Sequence, residues 1–194
     1  MTTKIIRRMA AGLILALACG GWAGGAQAQT ATVGEDVYLQ DGVKQFDTKL
    51  KVQSGDRVRV TYLKVTVANA GTVTSAKLRL RCDGDGGSGV IRVYKGSHSN
   101  WTTTSLTAAN APAALTPQIT QKDTTYVIGQ DYDFDLSSMI KQDGTYTVVI
   151  KKDELGGDVA FSSSRGTVAP QVLITAASTT PPSDSSLPQI HSFM

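Results

Sequence analysis

The chain has 194 residues, with 19 Lys and Arg, 16 Asp and Glu, and a net charge of +3 at pH 7. This length suits one domain with a substantial buried core. The excess charge comes from Lys4, Arg7 and Arg8, so the chain that follows them is balanced in charge. A balanced chain without aromatic residues interleaved among Lys and Arg argues against nucleic acid as a partner.

Residues 1–28 have the organisation of a secretory signal peptide. The three basic residues precede an apolar run from Met9 to Cys19, and small residues follow up to Ala28. We expect cleavage after Ala28 and a secreted or cell-surface protein. Periplasmic retention, or a lipid anchor on Cys19, is less favoured because "LALAC" departs from the lipoprotein pattern. The apolar run is too short for a bilayer crossing and no second one follows, so we expect no transmembrane segment.

Short apolar-alternating runs, separated by clusters of Gly, Asn, Asp or Ser, occupy most of the remaining chain. This pattern predicts a single all-β domain over residues 35–177, a two-sheet antiparallel β-sandwich resembling a jelly roll, after a short lead at 29–34. The predicted strands are "DVYL", "TKLKV", "RVRVTYLKVTV", "AKLRLRC", "VIRVYKG", "YDFDL", "TYTVVIKK", "VAFSSS" and "QVLITA". Residues 102–125 are predicted to form a long surface connection with one helical turn, and "LSSMIKQDG" a short helix.

The two ends of this domain differ in composition from its centre. Residues 178–194 are rich in Ser, Thr and Pro, which predicts a flexible tail. Cys82 is the one cysteine left after the predicted cleavage. The domain is therefore expected to fold without an internal disulfide.

Two of the predicted strands have basic outer faces. The two-residue period turns one row toward the core, namely Leu78, Leu80, Cys82, Ile91 and Val93. The opposite row, called the basic row below, contains Lys77, Arg79, Arg81, Arg92 and Tyr94. If the strands form a hairpin across "CDGDGGSG", Arg81 lies opposite Arg92 and Arg79 lies opposite Tyr94.

Like charges directly opposite each other destabilise an antiparallel pair. Two sources of compensation are open. A carboxylate or sulfate of a polyanion could bind the guanidinium groups in bidentate fashion while Tyr94 stacks on a sugar. Alternatively, Asp83 and Asp85 neutralise the arginines on a solvated surface.

The glycine-rich loop between these strands is also a candidate metal site. Asp83 and Asp85 have the alternating spacing of calcium loops, but Tyr94 stands where an EF-hand loop has its closing glutamate. A turn that needs positive φ explains the glycines without a ligand. We therefore expect that no cofactor is required, and a structural calcium at Asp83 and Asp85 is the minority alternative. Three further aspartates, Asp131, Asp133 and Asp135, are predicted to share one solvated strand face.

Four segments, in order along the chain, resemble the DNRLRE-type domain, which is also classed with carbohydrate-binding modules of the CBM96 type. They are "TYLKVTVANAGTVTSAKLRLRC", "NWTTTSLTAANAPA", "YDFDLSSMIKQDGTYTVVIK" and "VAFSSSRGTVAPQVLITA". The resemblance covers roughly residues 35–177 and implies a carbohydrate-binding β-sandwich. Thr103, Ala108 and Gly166 depart from the family pattern, which has Glu, Trp and Glu at these positions. By the same pattern, Trp101 is expected to anchor the core or a loop.

Catalytic features are sparse after the predicted cleavage site. The histidines are His98 and His191, the glutamates are Glu35 and Glu154, and no spacing ties His98 to a nucleophile. We therefore expect a secreted, non-catalytic carbohydrate-binding module that binds an acidic polysaccharide through the basic row. The alternative is a structural or accessory subunit of an extracellular matrix or cell-surface filament, with self-association or a matrix partner.

Overall fold

The computed structural model describes residues 30–177 of the chain. The predicted signal peptide and the predicted tail lie outside these residues. Eleven β-strands make up the fold: β1 Thr30–Gln40, β2 Val43–Gln45, β3 Lys49–Ser54, β4 Arg59–Ala68, β5 Val73–Arg81, β6 Gly87–Gly96, β7 Ala114–Tyr126, β8 Asp131–Asp135, β9 Gly144–Lys152, β10 Gly156–Ser162 and β11 Gln171–Ala176. Over residues 30–177 no helix has the length and apolarity that a bilayer crossing requires.

The strands form two antiparallel sheets. The larger sheet has the order β10-β3-β4-β9-β6-β7, and β1 pairs with both β4 and β2. The smaller sheet has the order β11-β5-β8. The predicted two-sheet antiparallel β-sandwich is therefore confirmed.

The main core lies between the two sheets. Alternate residues of each strand point into it, as the two-residue period requires. The larger sheet contributes residues such as Leu63, Val65, Ile91, Val93 and Ile150, and the smaller sheet contributes Leu78, Leu80 and Phe134. Cys82 is a free, fully buried thiol in this core, and burial raises its pKa.

A second apolar cluster covers part of the outer face of the larger sheet. The loop between β6 and β7 folds over that face and brings Trp101 and Leu106 against Tyr62 and Val149. Trp101 is 1% exposed, and its Nε1 donates to Thr147 Oγ1 at 2.9 Å. Trp101 therefore anchors this loop, as expected from the sequence.

Two local predictions were wrong. Residues 114–126 form strand β7 at the edge of the larger sheet, although the sequence predicted a connection there. This strand is rich in Thr and Gln and much of it faces solvent, so its apolar alternation is weak. The predicted helix at "LSSMIKQDG" is instead a turn, in which Leu136 O accepts from the amides of Met139 and Ile140.

Candidate functional site

Strands β5 and β6 lie in different sheets, so the predicted hairpin between them is wrong. The segment after β5 crosses from the smaller sheet to the larger one. Cys82 N donates to Gln130 O, and Asp83 N donates to Ala160 O along this crossing. A Cβ on Gly86 would lie 2.7 Å from Tyr126 O, which explains a glycine at this close approach. The basic row is consequently split between the two outer faces of the sandwich.

On the smaller sheet, three basic residues of β5 face three aspartates of β8. This charge ladder pairs Lys77 with Asp135, Arg79 with Asp133, and Arg81 with Asp131. The two arginine pairs are bidentate, with N···O distances of 2.7 and 2.9 Å for Arg79 and of 2.6 and 3.1 Å for Arg81. Opposite charges facing each other across antiparallel strands stabilise the sheet. The aspartates share one face as predicted, but two of them neutralise arginines instead of facing only solvent.

A groove of about 110 Å³ runs beside this ladder. It is called the arginine groove below and is lined by Arg79, Arg81, Asp131, Val168, Ala169 and Gln171. A guanidinium carries five N–H donors. Arg79 donates through Nε and Nη2 to Asp133, and the Nη1 of Arg81 donates to Gly129 O in addition to the pair with Asp131. Both arginines therefore keep N–H donors for a ligand without giving up their aspartates.

Arg92 and Tyr94 lie on the larger sheet, away from the ladder. Arg92 stands opposite Lys151, so a like-charge pair does occur, but with a different partner from the one predicted. Asp153 compensates for it, because its carboxylate lies 3.4 Å from the guanidinium of Arg92 and 3.2 Å from the ammonium of Lys151. The same carboxylate accepts from the Tyr94 hydroxyl at 2.9 Å. Tyr94 is 8% exposed and packs in the Trp101 cluster. Its ring therefore has little open surface for stacking on a sugar.

The two aspartates of the glycine loop pair with β3. The ammonium of Lys49 lies 2.6 Å from Asp83, and that of Lys51 lies 2.6 Å from Asp85. The alternative in which these two aspartates neutralise the arginines of the basic row is therefore wrong. No group of three His, Cys, Asp or Glu side chains suited to a metal occurs within residues 30–177. Calcium at Asp83 and Asp85 stays a prediction.

Thr103 occupies a loop position at which the family pattern has a glutamate. A carboxylate from elsewhere in the chain nevertheless lies beside this position. Glu35 on β1 supplies it, accepting from Thr103 N at 2.7 Å and from the Thr103 hydroxyl at 2.5 Å. The hydrogen bond from the Thr103 hydroxyl is the largest influence lowering the pKa of Glu35. Sequence reasoning did not identify this contact, because the two residues are far apart in the chain.

Arg165 is another residue whose contacts sequence reasoning did not identify. It lies after β10, and its Nη1 is 2.9 Å from the carboxylate of Asp36, which is 0% exposed. The guanidinium carbon of Arg165 is 4.3 Å from the ring centroid of Phe46. The sequence signal for Arg165 was its place in the last family-like segment, whereas nothing in the sequence singled out Phe46.

Ion pairing of Asp133 and Asp83 makes the stability of the fold depend on pH. Arg79 lowers the pKa of Asp133 and Lys49 lowers that of Asp83, each through a side-chain hydrogen bond. A carboxyl group whose folded pKa lies below its unfolded value of about 3.9 stabilises the fold above that pH. We expect urea midpoints to be constant from pH 7 to 5 and to fall below about pH 4, by a modest amount because these pairs are partly exposed. Asp133→Asn should weaken this acid dependence, and an unchanged profile would contradict its assignment to Asp133.

Comparison with known families identifies the family to which the chain belongs. The model of carbohydrate-binding module family 96 matches residues 27–176. The chain belongs to this family. The CBM96 classification inferred from the four segments is therefore confirmed, and modules of this kind are typically non-catalytic. No curated protein sequence matches the chain.

Proposed function

We propose that this CBM96 protein is an exported, non-catalytic module that binds an acidic polysaccharide in the arginine groove. The observation that carries the proposal is the pair of guanidinium groups, Arg79 and Arg81, held in fixed positions along a groove with N–H donors unused. Guanidinium groups bind carboxylates with two parallel hydrogen bonds, which suits a uronate-containing polymer. Membership of a carbohydrate-binding family supports the same class of ligand.

The aspartates of the ladder give the groove two properties. They hold the arginine side chains in place before a ligand arrives, which reduces the entropy lost on binding. They also cancel much of the long-range attraction for a polyanion, so recognition depends on short-range hydrogen bonds. Gln171 and the lone pairs of the Asp131 carboxylate that Arg81 does not use offer partners for sugar hydroxyl groups on the same groove wall.

The size of the groove limits what enters it. About 110 Å³ is roughly the volume of four water molecules, so a carboxylate fits there while the polymer lies along the surface. Arg79 and Arg81 are two residues apart on one strand face, which separates them by about 7 Å. The two guanidinium groups are therefore placed to contact successive acidic groups. Arg92 and Tyr94 lie on the other sheet and are not part of this site.

Affinity electrophoresis tests the proposal. The mature protein should be retarded in gels containing polygalacturonate or alginate, and much less in gels containing fully methyl-esterified pectin, which lacks the charge. Retardation should persist with a chelator, because the groove contacts need no calcium. Equal retardation by the charged and esterified polymers would contradict recognition of acidic groups. Loss of binding with the chelator would favour the calcium alternative at Asp83 and Asp85.

A further inference from the structure

Phe46 is the exposed aromatic residue of the described chain. It is 67% exposed, whereas the other Phe, Trp and Tyr side chains between residues 30 and 177 are buried or half-buried. It lies in the short segment between β2 and β3. Because so little of its surface is covered, the ring adds little to the core and is accessible to a ligand.

One face of the Phe46 ring is held in place by Arg165. The guanidinium carbon lies 4.3 Å from the ring centroid. Backbone carbonyls fix that guanidinium, since Nη2 donates to Asp36 O at 3.0 Å and Nε donates to Asp47 O at 3.1 Å. With Arg165 on one face and 67% of Phe46 exposed, the opposite ring face is open to solvent.

The support beneath this ring is an ion pair between Arg165 and a buried carboxylate. Asp36 is 0% exposed, and its carboxylate accepts from Ser164 N at 2.5 Å and from the Ser164 hydroxyl at 2.8 Å, and it lies 2.9 Å from Arg165 Nη1. A buried charge is costly unless it is paired and hydrogen-bonded, and here both conditions hold. The Nε, Nη1 and Nη2 of Arg165 each donate to a protein oxygen, and its guanidinium is paired with Asp36, so the contacts of this arginine hold it in place beneath the ring.

We propose that the open face of Phe46 is a stacking platform for the apolar face of a sugar ring. A pyranose presents its C–H groups on one side, and an aromatic ring of fixed orientation packs against them through dispersion and burial of apolar surface. The inference rests on the proposed function, because it assigns a second contact to the same polysaccharide.

The position of the platform is compatible with one ligand chain reaching both contacts. The loop after β10 carries Arg165 beneath Phe46 and, three residues later, Val168 at the wall of the arginine groove. Three residues span at most about 11 Å of extended chain. The platform and the groove therefore lie at two ends of one short loop.

Four single variants test the platform in gels of each polysaccharide that retards the parent protein. Phe46→Ala and Phe46→Leu should bind about 3- to 10-fold more weakly, because an aromatic contact of this kind is lost in both. Phe46→Trp should bind at least as tightly as the parent. Leu155→Ala is the matched control, since Leu155 is 84% exposed and its loss should leave binding unchanged. Urea midpoints of all four should stay close to that of the parent.

The outcomes separate this inference from the proposed function. Parent-like binding by Phe46→Ala or by Phe46→Leu overturns the stacking platform, whatever the groove does. If only neutral polymers retard the parent, and the Phe46 variants bind these polymers more weakly, the platform is supported and recognition of acidic groups is rejected. A protein retarded by none of the gels overturns both proposals. If light scattering shows that the parent self-associates and Phe46→Ala abolishes this, the ring is an interface between copies and the platform is rejected.

Discussion

Replacing Arg79 and Arg81 together by glutamine is expected to weaken retardation by polygalacturonate at least about 100-fold. A hydrogen bond to a charged group contributes about 1.5–3 kcal/mol, so losing one such contact at each arginine amounts to about 3 kcal/mol or more. Glutamine keeps a polar side chain of similar reach but has neither the charge nor the forked geometry of guanidinium. The measurement is the relative mobility of parent and variant over a series of polymer concentrations.

The control for this double variant is a second one with the same loss of charge. Arg57→Gln/Lys95→Gln removes two positive charges from exposed positions outside the arginine groove and should bind like the parent. The groove variant leaves Asp131 and Asp133 without their guanidinium partners, and we expect only a modest loss of stability, since such pairs are partly exposed. A urea titration establishes that it is folded. Equal weakening by the two double variants would show that net charge, and not the groove, determines binding.

Trp101→Ala is expected to lower the free energy of unfolding by about 3–5 kcal/mol, the usual range for removing a large buried aromatic side chain. The indole is 1% exposed and packs edge-on against Tyr62, with ring centroids 6.4 Å apart. It also carries the ammonium of Lys64 over its ring at 5.1 Å. Removing it leaves a cavity between the loop and the outer face of the larger sheet. Urea denaturation followed by far-UV circular dichroism measures the loss.

Trp101→Phe separates the packing of this side chain from its hydrogen bond. The variant keeps an aromatic ring but loses the bond from Nε1 to Thr147 Oγ1. The Thr147 hydroxyl still donates to His98 O at 2.7 Å, so a smaller loss of about 1–2 kcal/mol is expected. Because Trp101 lies on the face opposite the arginine groove, binding should be unchanged. A loss below about 1 kcal/mol for Trp101→Ala would mean that the loop unfolds separately from the sheets.

The local sequence of each strand determined that a strand forms and which of its side chains face the core. The alternation in "AKLRLRC" predicted the buried row and the outward row correctly, since a side chain's face depends only on the two-residue period of its own strand. The same reasoning placed Asp131, Asp133 and Asp135 on one face. It missed β7, where an edge strand with much of its length in solvent carries little apolar alternation.

Only the tertiary structure decided which strands pair and which outward side chains become neighbours. The sequence of β5 and β6 is equally compatible with a hairpin and with strands in opposite sheets, because both arrangements bury the same residues. Long-range pairing places β5 beside β8 and β6 beside β9, which gives Arg79 an aspartate and Arg92 a lysine as its opposite neighbour. The contact of Phe46 with Arg165 joins two loops distant in the chain, and no local pattern encodes such a contact. The sequence by itself therefore determined a carbohydrate-binding β-sandwich with outward arginines, and the tertiary structure decided their partners.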